Sequence, residues 1–125
     1  MKQLFILLTT VLTFAACSAQ QGDVKTLKQA DLSAKLQEDN VVLIDVRTPG
    51  EVTSGYIPEA NLFIDINGAD FNKKIAELDT TKTYVVYCRS GARSGKASSY
   101  MVTNGFTDVY NLEGGILSYT GETKQ

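Results

Sequence analysis

The sequence predicts an α/β fold built on a parallel sheet, and three observations carry that prediction. Two apolar runs, Val41-Val42-Leu43-Ile44 and Tyr84-Val85-Val86-Tyr87, are uninterrupted by polar residues. Helical periodicities separate and follow them, and each run leads straight into polar, chemically capable residues. Continuous β-branched and aromatic segments are the pattern of strands covered on both faces. Ligands of open α/β sheets sit beyond the carboxyl ends of the strands, so Asp45-Val46-Arg47 and residues 88–94 stand where a site is expected.

The remaining elements are placed in chain order. Residues 24–27 form a short edge strand, and Leu32 and Leu36, four apart within residues 31–38, place an amphipathic helix capped by Asp or Ser. After the second apolar run, residues 92–104 fit a helix with Ala97, Tyr100 and Met101 on one face, closed by Gly105 as a left-handed C-cap. Ser94, Gly95 and Ser98 near its start allow close packing on the sheet while lowering helix propensity, so tertiary contacts must hold that turn. Residues 108–112 give a last short strand, Glu113-Gly114-Gly115 a turn, and residues 116–119 a final helical turn.

Composition narrows the function. With 125 residues, 43% of them hydrophobic and 21% charged, the chain has room for one ordinary domain and none for a second. A formal charge of -2 leaves no basic excess to neutralise phosphates, which argues against a nucleic-acid partner. Histidine is absent, and with it the Cys-His and Ser-His dyads and the commonest metal ligand.

The N-terminal stretch reads as an export signal. Met1-Lys2-Gln3 carries a positive charge, and residues 4–14 are apolar but too short to span a bilayer as a helix. The stretch closes in Thr13-Phe14-Ala15-Ala16-Cys17, which resembles a lipobox. On this reading residues 1–16 are a lipoprotein signal peptide, residues 17–23 are the lipidated Cys17 with a polar tether, and residues 24–125 are the folded domain. An uncleaved anchor or an ordinary secretory signal is the alternative. The expected location is the bacterial cell envelope, with the domain held on the membrane by its lipid. Ser18 stands where an aspartate retains lipoproteins at the inner membrane in some bacteria, so outer-membrane placement facing the periplasm is expected.

With Cys17 assigned to the lipid, Cys88 is the sole cysteine of the domain and has no disulfide partner within it. It lies between a strand and a helix, followed by Arg89, Ser90, Gly91, Ala92, Arg93 and Ser94. Successive backbone N–H groups in such a turn, together with a helix N-terminus, make a concave anion site with the sulfur at its floor. These donors and the two arginines favour thiolate over thiol, the route by which a cysteine becomes nucleophilic without a histidine. An inert, buried cysteine closing a strand is the competing interpretation.

Four motifs in order and spacing resemble the rhodanese-like domain. They are Asp45-Val46-Arg47; Glu51 with Gly55-Tyr56-Ile57-Pro58-Glu59-Ala60; Cys88-Arg89-Ser90-Gly91-Ala92-Arg93-Ser94; and Gly105-Phe106 with Leu112-Glu113-Gly114-Gly115. The resemblance covers about residues 24–119. It implies an α/β fold with a central parallel sheet of about five strands flanked by helices, and transfer of sulfane sulfur through a cysteine persulfide without a metal or organic cofactor. On the matching positions, Cys88 is the implied persulfide carrier and the loop from Arg89 to Ser94 its cradle. Arg89 and Arg93 are implied to hold a small anionic sulfur donor such as thiosulfate, with cyanide or a thiol as thiophilic acceptor. Asp45 and Arg47 are expected to organise the site, with Arg47 able to pair with Glu51, and the two glycines to form a tight turn against the active loop. The chain departs from the family at Tyr56, where histidine is frequent, at Val52, where an aromatic is frequent, and in lacking a tryptophan after the Gly-Gly turn. Two other readings remain open: a sulfur-carrier or anion-binding module without turnover, and a phosphatase or arsenate reductase. The loop disfavours the last, since Arg93 follows Cys88 after four residues, whereas low-molecular-weight and dual-specificity tyrosine phosphatases place five between cysteine and arginine.

Overall fold

The computed structural model describes residues 22–125. The expected signal peptide, Cys17 and the first part of the tether lie outside the described residues. Five strands, β1 (Lys25–Leu27), β2 (Val41–Asp45), β3 (Leu62–Phe63), β4 (Thr83–Tyr87) and β5 (Val109–Leu112), form one sheet in the order β1-β5-β4-β2-β3. Every pairing is parallel. Four helices, α1 (Leu32–Leu36), α2 (Pro49–Thr53), α3 (Phe71–Ala76) and α4 (Ala92–Thr103), flank it, with 3-10 turns at Gln29–Asp31 and Gly115–Ser118.

The uninterrupted apolar runs explain themselves once the sheet is seen. Side chains alternate across a strand, so a strand covered on both faces needs apolar residues at every position. Ile44, Tyr84 and Val86 point into a core with Phe71 and Ile75 of α3 and Ala97 and Met101 of α4, while Leu43, Val85 and Tyr87 join Leu27, Leu32 and Ile57 in a second core. The register places Ile44 beside Val86 and Asp45 beside Tyr87. The central strands therefore end level, and the residues after them emerge at one edge.

Helix α4 matches its expected span to one residue and ends as expected. Gly105 adopts φ +97°, Phe106 N–H donates to the Met101 carbonyl at 3.1 Å, and Gly105 N–H reaches the Val102 carbonyl, the Schellman pattern of a glycine-closed helix. Ser94 and Ser98 are fully buried against the sheet, as their small size allows. The expected cap of α1 does not form. Asp31 precedes the helix but lies in the 3-10 turn at φ -96°, ψ -6°, rather than in the extended conformation a capping side chain needs, and it makes no side-chain cap bond.

Helices α2 and α3 lie between the two apolar runs, where helical patterns are expected without bounds, and strand β3 has no counterpart among the elements expected from sequence. Each is six residues or fewer, too short for its bounds to be read from a period. One signal for α2 was nonetheless present. Thr48-Pro49-Gly50-Glu51 is a capping box with proline at the first helical position, and Thr48 Oγ1 accepts from Glu51 N–H at 3.4 Å and donates to Glu51 Oε1 at 3.2 Å.

Candidate active site

Cys88 leaves the end of β4, and the loop after it turns into α4 through Gly91, whose φ of +110° is a conformation side chains disfavour. That turn brings Gly91 N–H within 3.1 Å of Cys88 Sγ. The Ser94 hydroxyl lies 3.3 Å from the same sulfur. Burial exerts the largest single influence on Cys88 and pushes its thiol pKa up; the Ser94 hydroxyl and the amides of Ser94, Gly91 and Ser90 together outweigh it and hold the thiol below its ordinary value. The N-terminal end of α4, with its partial positive charge, faces the same sulfur. Only 1% of Cys88 is exposed, so the sulfur forms the floor of the loop rather than its rim.

Asn111 on β5, which no sequence motif singled out, ties this cradle to the sheet. Its Nδ2 donates to the Gly91 carbonyl at 3.1 Å, which orients the amide so that Oδ1 faces Ser94 and accepts from its hydroxyl at 2.6 Å. The Ser94 proton therefore has two acceptors, Asn111 and the sulfur, and can serve one at a time. A period-2 pattern places Asn111 on the sheet but carries no sign of what it faces; only the β4–β5 pairing brings it beside the loop.

The Gly-Gly turn packs on the loop as expected. Ile116 N–H donates to the Cys88 carbonyl and Leu117 N–H to the Arg89 carbonyl, both at 3.0 Å. A Cβ on Gly115 would lie 2.5 Å from both carbonyl oxygens, so this approach admits only glycine. Gln29 braces the turn from the other side, donating to the carbonyls of Glu113 and Gly115 at 2.8 Å.

Asp45 and Arg47 form a buried pair at the end of β2. Arg47 Nη2 lies 2.6 Å from Asp45 Oδ2, Nε binds the same carboxylate, and a further Nη2 bond at 2.8 Å reaches the Gly55 carbonyl. The guanidinium also lies 5.7 Å from the ring centre of Tyr87. Tyr87 accepts from Ile57 N–H, and burial first, then the Asp45 carboxylate, push its phenol far above the ordinary range. The pairing of Arg47 with the Glu51 carboxylate is not found: Asp45, two residues away and fully buried, takes the guanidinium, and Arg47 reaches only the Glu51 backbone carbonyl. Glu51 instead holds Arg93 in a two-pronged pair, Nη1 to Oε1 at 2.7 Å and Nη2 to Oε2 at 2.8 Å. Those bonds from Arg93 hold the Glu51 carboxyl down to about 2. Arg89 is exposed and, among the described residues, forms no ion pair.

A shallow depression of about 290 Å³, lined by Arg47, Glu51, Ser54, Arg89, Ile116 and Leu117, opens beside the loop. A larger hollow of about 320 Å³ lies between α1 and residues 118–120 and contains neither a cysteine nor an arginine. The smaller depression, lined by Arg47 and Arg89, is the one that adjoins the Cys88 loop. Tyr56, at the position where the family often has histidine, packs edge-on to Phe63 at 5.0 Å and pairs through its backbone with Lys124, so this departure is absorbed in the scaffold.

Residues 28–122 match the family model described as the rhodanese-like domain. The chain is 41% identical over 103 residues to the putative sulfurtransferase YtwF of Bacillus subtilis, covering 82% of this chain and 96% of that one. It is 39% identical over 94 residues to the thiosulfate sulfurtransferase GlpE of Pseudomonas syringae, covering 72% and 86%. A crystal structure of a rhodanese-like domain protein from Staphylococcus aureus superposes with a TM-score of 0.70 at 31% identity, covering 81% of this chain and 97% of that one. With its five-stranded parallel sheet, its cysteine loop at the head of α4 and these matches, the chain belongs to the rhodanese-like domain family, whose members include sulfurtransferases.

Proposed function

We propose that the protein moves sulfane sulfur from a donor such as thiosulfate to a thiophilic acceptor through a persulfide on Cys88. The observation that carries this reading is the pair of donors, Gly91 N–H and the Ser94 hydroxyl, aimed at Cys88 Sγ at the head of α4. They favour the thiolate, and the same donors suit the anionic persulfide formed from it. In the first half-reaction the thiolate attacks the outer sulfur of the donor, the Sγ–S bond forms, the donor S–S bond breaks, and sulfite leaves with the electron pair. In the second, cyanide or a thiolate attacks the outer persulfide sulfur and Cys88 leaves as thiolate. Arg89 and the loop amides bind the donor; Asp45 and Arg47 hold the strand end that supports the loop. The similarity to a thiosulfate sulfurtransferase supports this choice of donor.

Intact-mass spectrometry of the purified protein before and after thiosulfate tests the reading. A gain of one sulfur, about 32 Da, that cyanide removes and that Cys88→Ser lacks is the expected result of this attack chemistry. Undiminished transfer by Cys88→Ser would overturn it. The burial of Cys88 favours a second reading, a carrier loaded by a partner without useful turnover; uptake of one sulfur with negligible multiple turnover on any small acceptor would select it.

We further propose that the domain works in the bacterial cell envelope, held by a lipid on Cys17. The short apolar stretch and the Ala15-Ala16-Cys17 ending support this placement. Incorporation of labelled fatty acid that Cys17→Ser abolishes is the expected outcome; a chain that partitions with soluble protein and carries no label would contradict it.

A further inference from the structure

Asn111, Ser94 and Cys88 place three polar atoms in a row between β5 and the loop, and the geometry fixes where one proton sits. Asn111 lies beside Val86 in the β4–β5 register, and Val86 and Cys88 face the same core, so the amide projects on the cysteine's side of the sheet. It has one orientation, because Gly91 offers only a carbonyl oxygen and Nδ2 must donate to it, at 3.1 Å. Oδ1 can then only accept from Ser94. At 2.6 Å the Ser94 proton lies between these two oxygens, and the lone pairs of Oγ face Cys88 Sγ at 3.3 Å. Such a hydroxyl suits a neutral sulfur, since it accepts from a thiol S–H while donating to Asn111, one continuous chain of hydrogen bonds. It suits an anionic sulfur only after its O–H turns from Asn111 to Sγ, which leaves Oδ1 without that donor. The nearby charges stay outside this row: Arg47 is held by Asp45 and Arg93 by Glu51, Arg89 is exposed, and no side-chain bond of Asn111 or Ser94 goes to a charged group among the described residues.

We infer that Asn111 is a positioning residue for sulfur transfer: it holds the Ser94 proton while Cys88 is a thiol or a persulfide, and yields it to Sγ only when that atom carries the negative charge. The inference rests on the sulfur-transfer reading above and gives a part in it to a residue of β5, outside the cysteine loop. During loading the Cys88 thiolate starts with the Ser94 O–H. As the Sγ–S bond forms and the donor S–S bond breaks, the leaving group carries off the electron pair, Sγ becomes neutral, and the O–H returns to Asn111. The charge now rests on the outer sulfur. During discharge the acceptor attacks that outer sulfur, the Sγ–S bond breaks, the electron pair returns to Sγ, and the O–H turns back to it. Ser94 keeps its proton throughout; only its hydroxyl rotates. By competing for this proton Asn111 limits the stabilisation of the thiolate, which preserves its nucleophilicity and makes it a poorer leaving group.

A double-mutant cycle on the full chain tests this. The Cys88 thiol pKa is read from the NMR shift of its β-carbon after labelling with isotope-enriched cysteine, which needs no reagent to reach the buried sulfur. Asn111→Leu, of similar size, removes the competing acceptor and frees the Ser94 hydroxyl for the thiolate, so the pKa is expected to fall by about 0.5 to 1, the scale of one hydrogen bond. A residue that merely braced the loop would give the opposite sign, because releasing the Gly91 carbonyl weakens the Gly91 N–H bond to sulfur and raises the pKa. In a Ser94→Ala background, Asn111→Leu should leave the pKa where Ser94→Ala alone puts it. Asn111→Asp keeps an acceptor for Ser94 and should not lower the pKa. Single-turnover rates supply a second readout: at a pH where Cys88 is fully ionised, Asn111→Leu should slow loading by thiosulfate about twofold and speed discharge to cyanide by a similar factor. Asn111→Val, which suits a strand, takes the place of the leucine if that variant does not fold. A pKa that rises or stays unchanged on loss of the acceptor overturns the inference and leaves sulfur transfer standing. A fall that persists without Ser94, or that Asn111→Asp reproduces, overturns it as well. Failure of the unsubstituted chain to load sulfur from either thiosulfate or inorganic polysulfide overturns the role in transfer together with the function on which it rests.

Discussion

Ser94 illustrates how little chemistry separates a buried cysteine from a nucleophile in this fold. Its hydroxyl is the strongest of the groups that lower the Cys88 pKa, acting against burial. Ser94→Ala is therefore expected to raise the thiol pKa and reduce the thiolate present at neutral pH, read from the ultraviolet absorbance of the thiolate during a pH titration. An unchanged titration would mean that the amides alone hold the sulfur. Gly115 is the second residue whose identity is dictated by contact. Gly115→Ala puts a methyl group 2.5 Å from the Cys88 and Arg89 carbonyls at a φ of +57°, so the loop must move or the turn must open. A loss of about 2–4 kcal/mol in urea denaturation is expected, the upper part of the range for single substitutions, together with loss of sulfur loading.

At the scale of elements, the ends of β2 and β4 are held level by their register, and the Asp45–Arg47 pair locks the segment leaving β2. Both partners are buried, Asp45 completely. Removing the cation alone strands a carboxylate in the interior, so Arg47→Ala should cost about 3–5 kcal/mol. Replacing both partners together with apolar residues of similar volume should recover much of that loss. A double variant as unstable as Arg47→Ala would show instead that the bond from Arg47 to the Gly55 carbonyl, which ties β2 to the loop before Ile57, matters more than the charge. Glu51 belongs to the same scale. The capping box starts α2 beyond β2, and α2 delivers its first-turn carboxylate to Arg93 at the start of α4, joining two elements that no backbone pairing connects.

For the whole molecule, the paired carboxylates set the acid limit of stability. Glu51 titrates near 2 in the folded protein against an ordinary value of 4.5; in Asp108, burial pushes the carboxyl up but the bonds from Lys25 and Thr83 hold it below its ordinary value. A carboxylate with a depressed folded pKa contributes stability that is complete above its unfolded pKa and disappears as pH falls through the folded one. Stability should thus decline between about pH 4.5 and 2, and Glu51→Gln should flatten that decline. Denaturation midpoints across this range would show it, and parallel curves for the two proteins would remove Glu51 from the account. The two cores divide the molecule by face rather than by sequence, and the apolar residues of β2, β4 and β5 fall to one or the other by parity.

The α/β class, the two central strands, α4 with its glycine closure, and the loop from Cys88 to Ser94 were all legible in the amino-acid sequence. Each of these is written in consecutive residues: an unbroken apolar run, a helical period with its stop signal, a cysteine followed at once by small and cationic residues. The bounds of the short helices stayed hidden because five or six residues, as in α2 or α3, make less than two turns, and β3 itself stayed hidden because two residues show no alternation. Which charges pair was settled only in three dimensions. Arg47 stood near Asp45 and Glu51 in sequence, yet burial gave it to Asp45, and Glu51 found Arg93 forty-two positions away. Asn111 likewise reached Ser94 only because parallel pairing lays β5 beside β4. Side-chain partners are set by which elements lie adjacent in space, and that adjacency comes from packing two faces of one sheet, a property of the whole chain and not of any window within it.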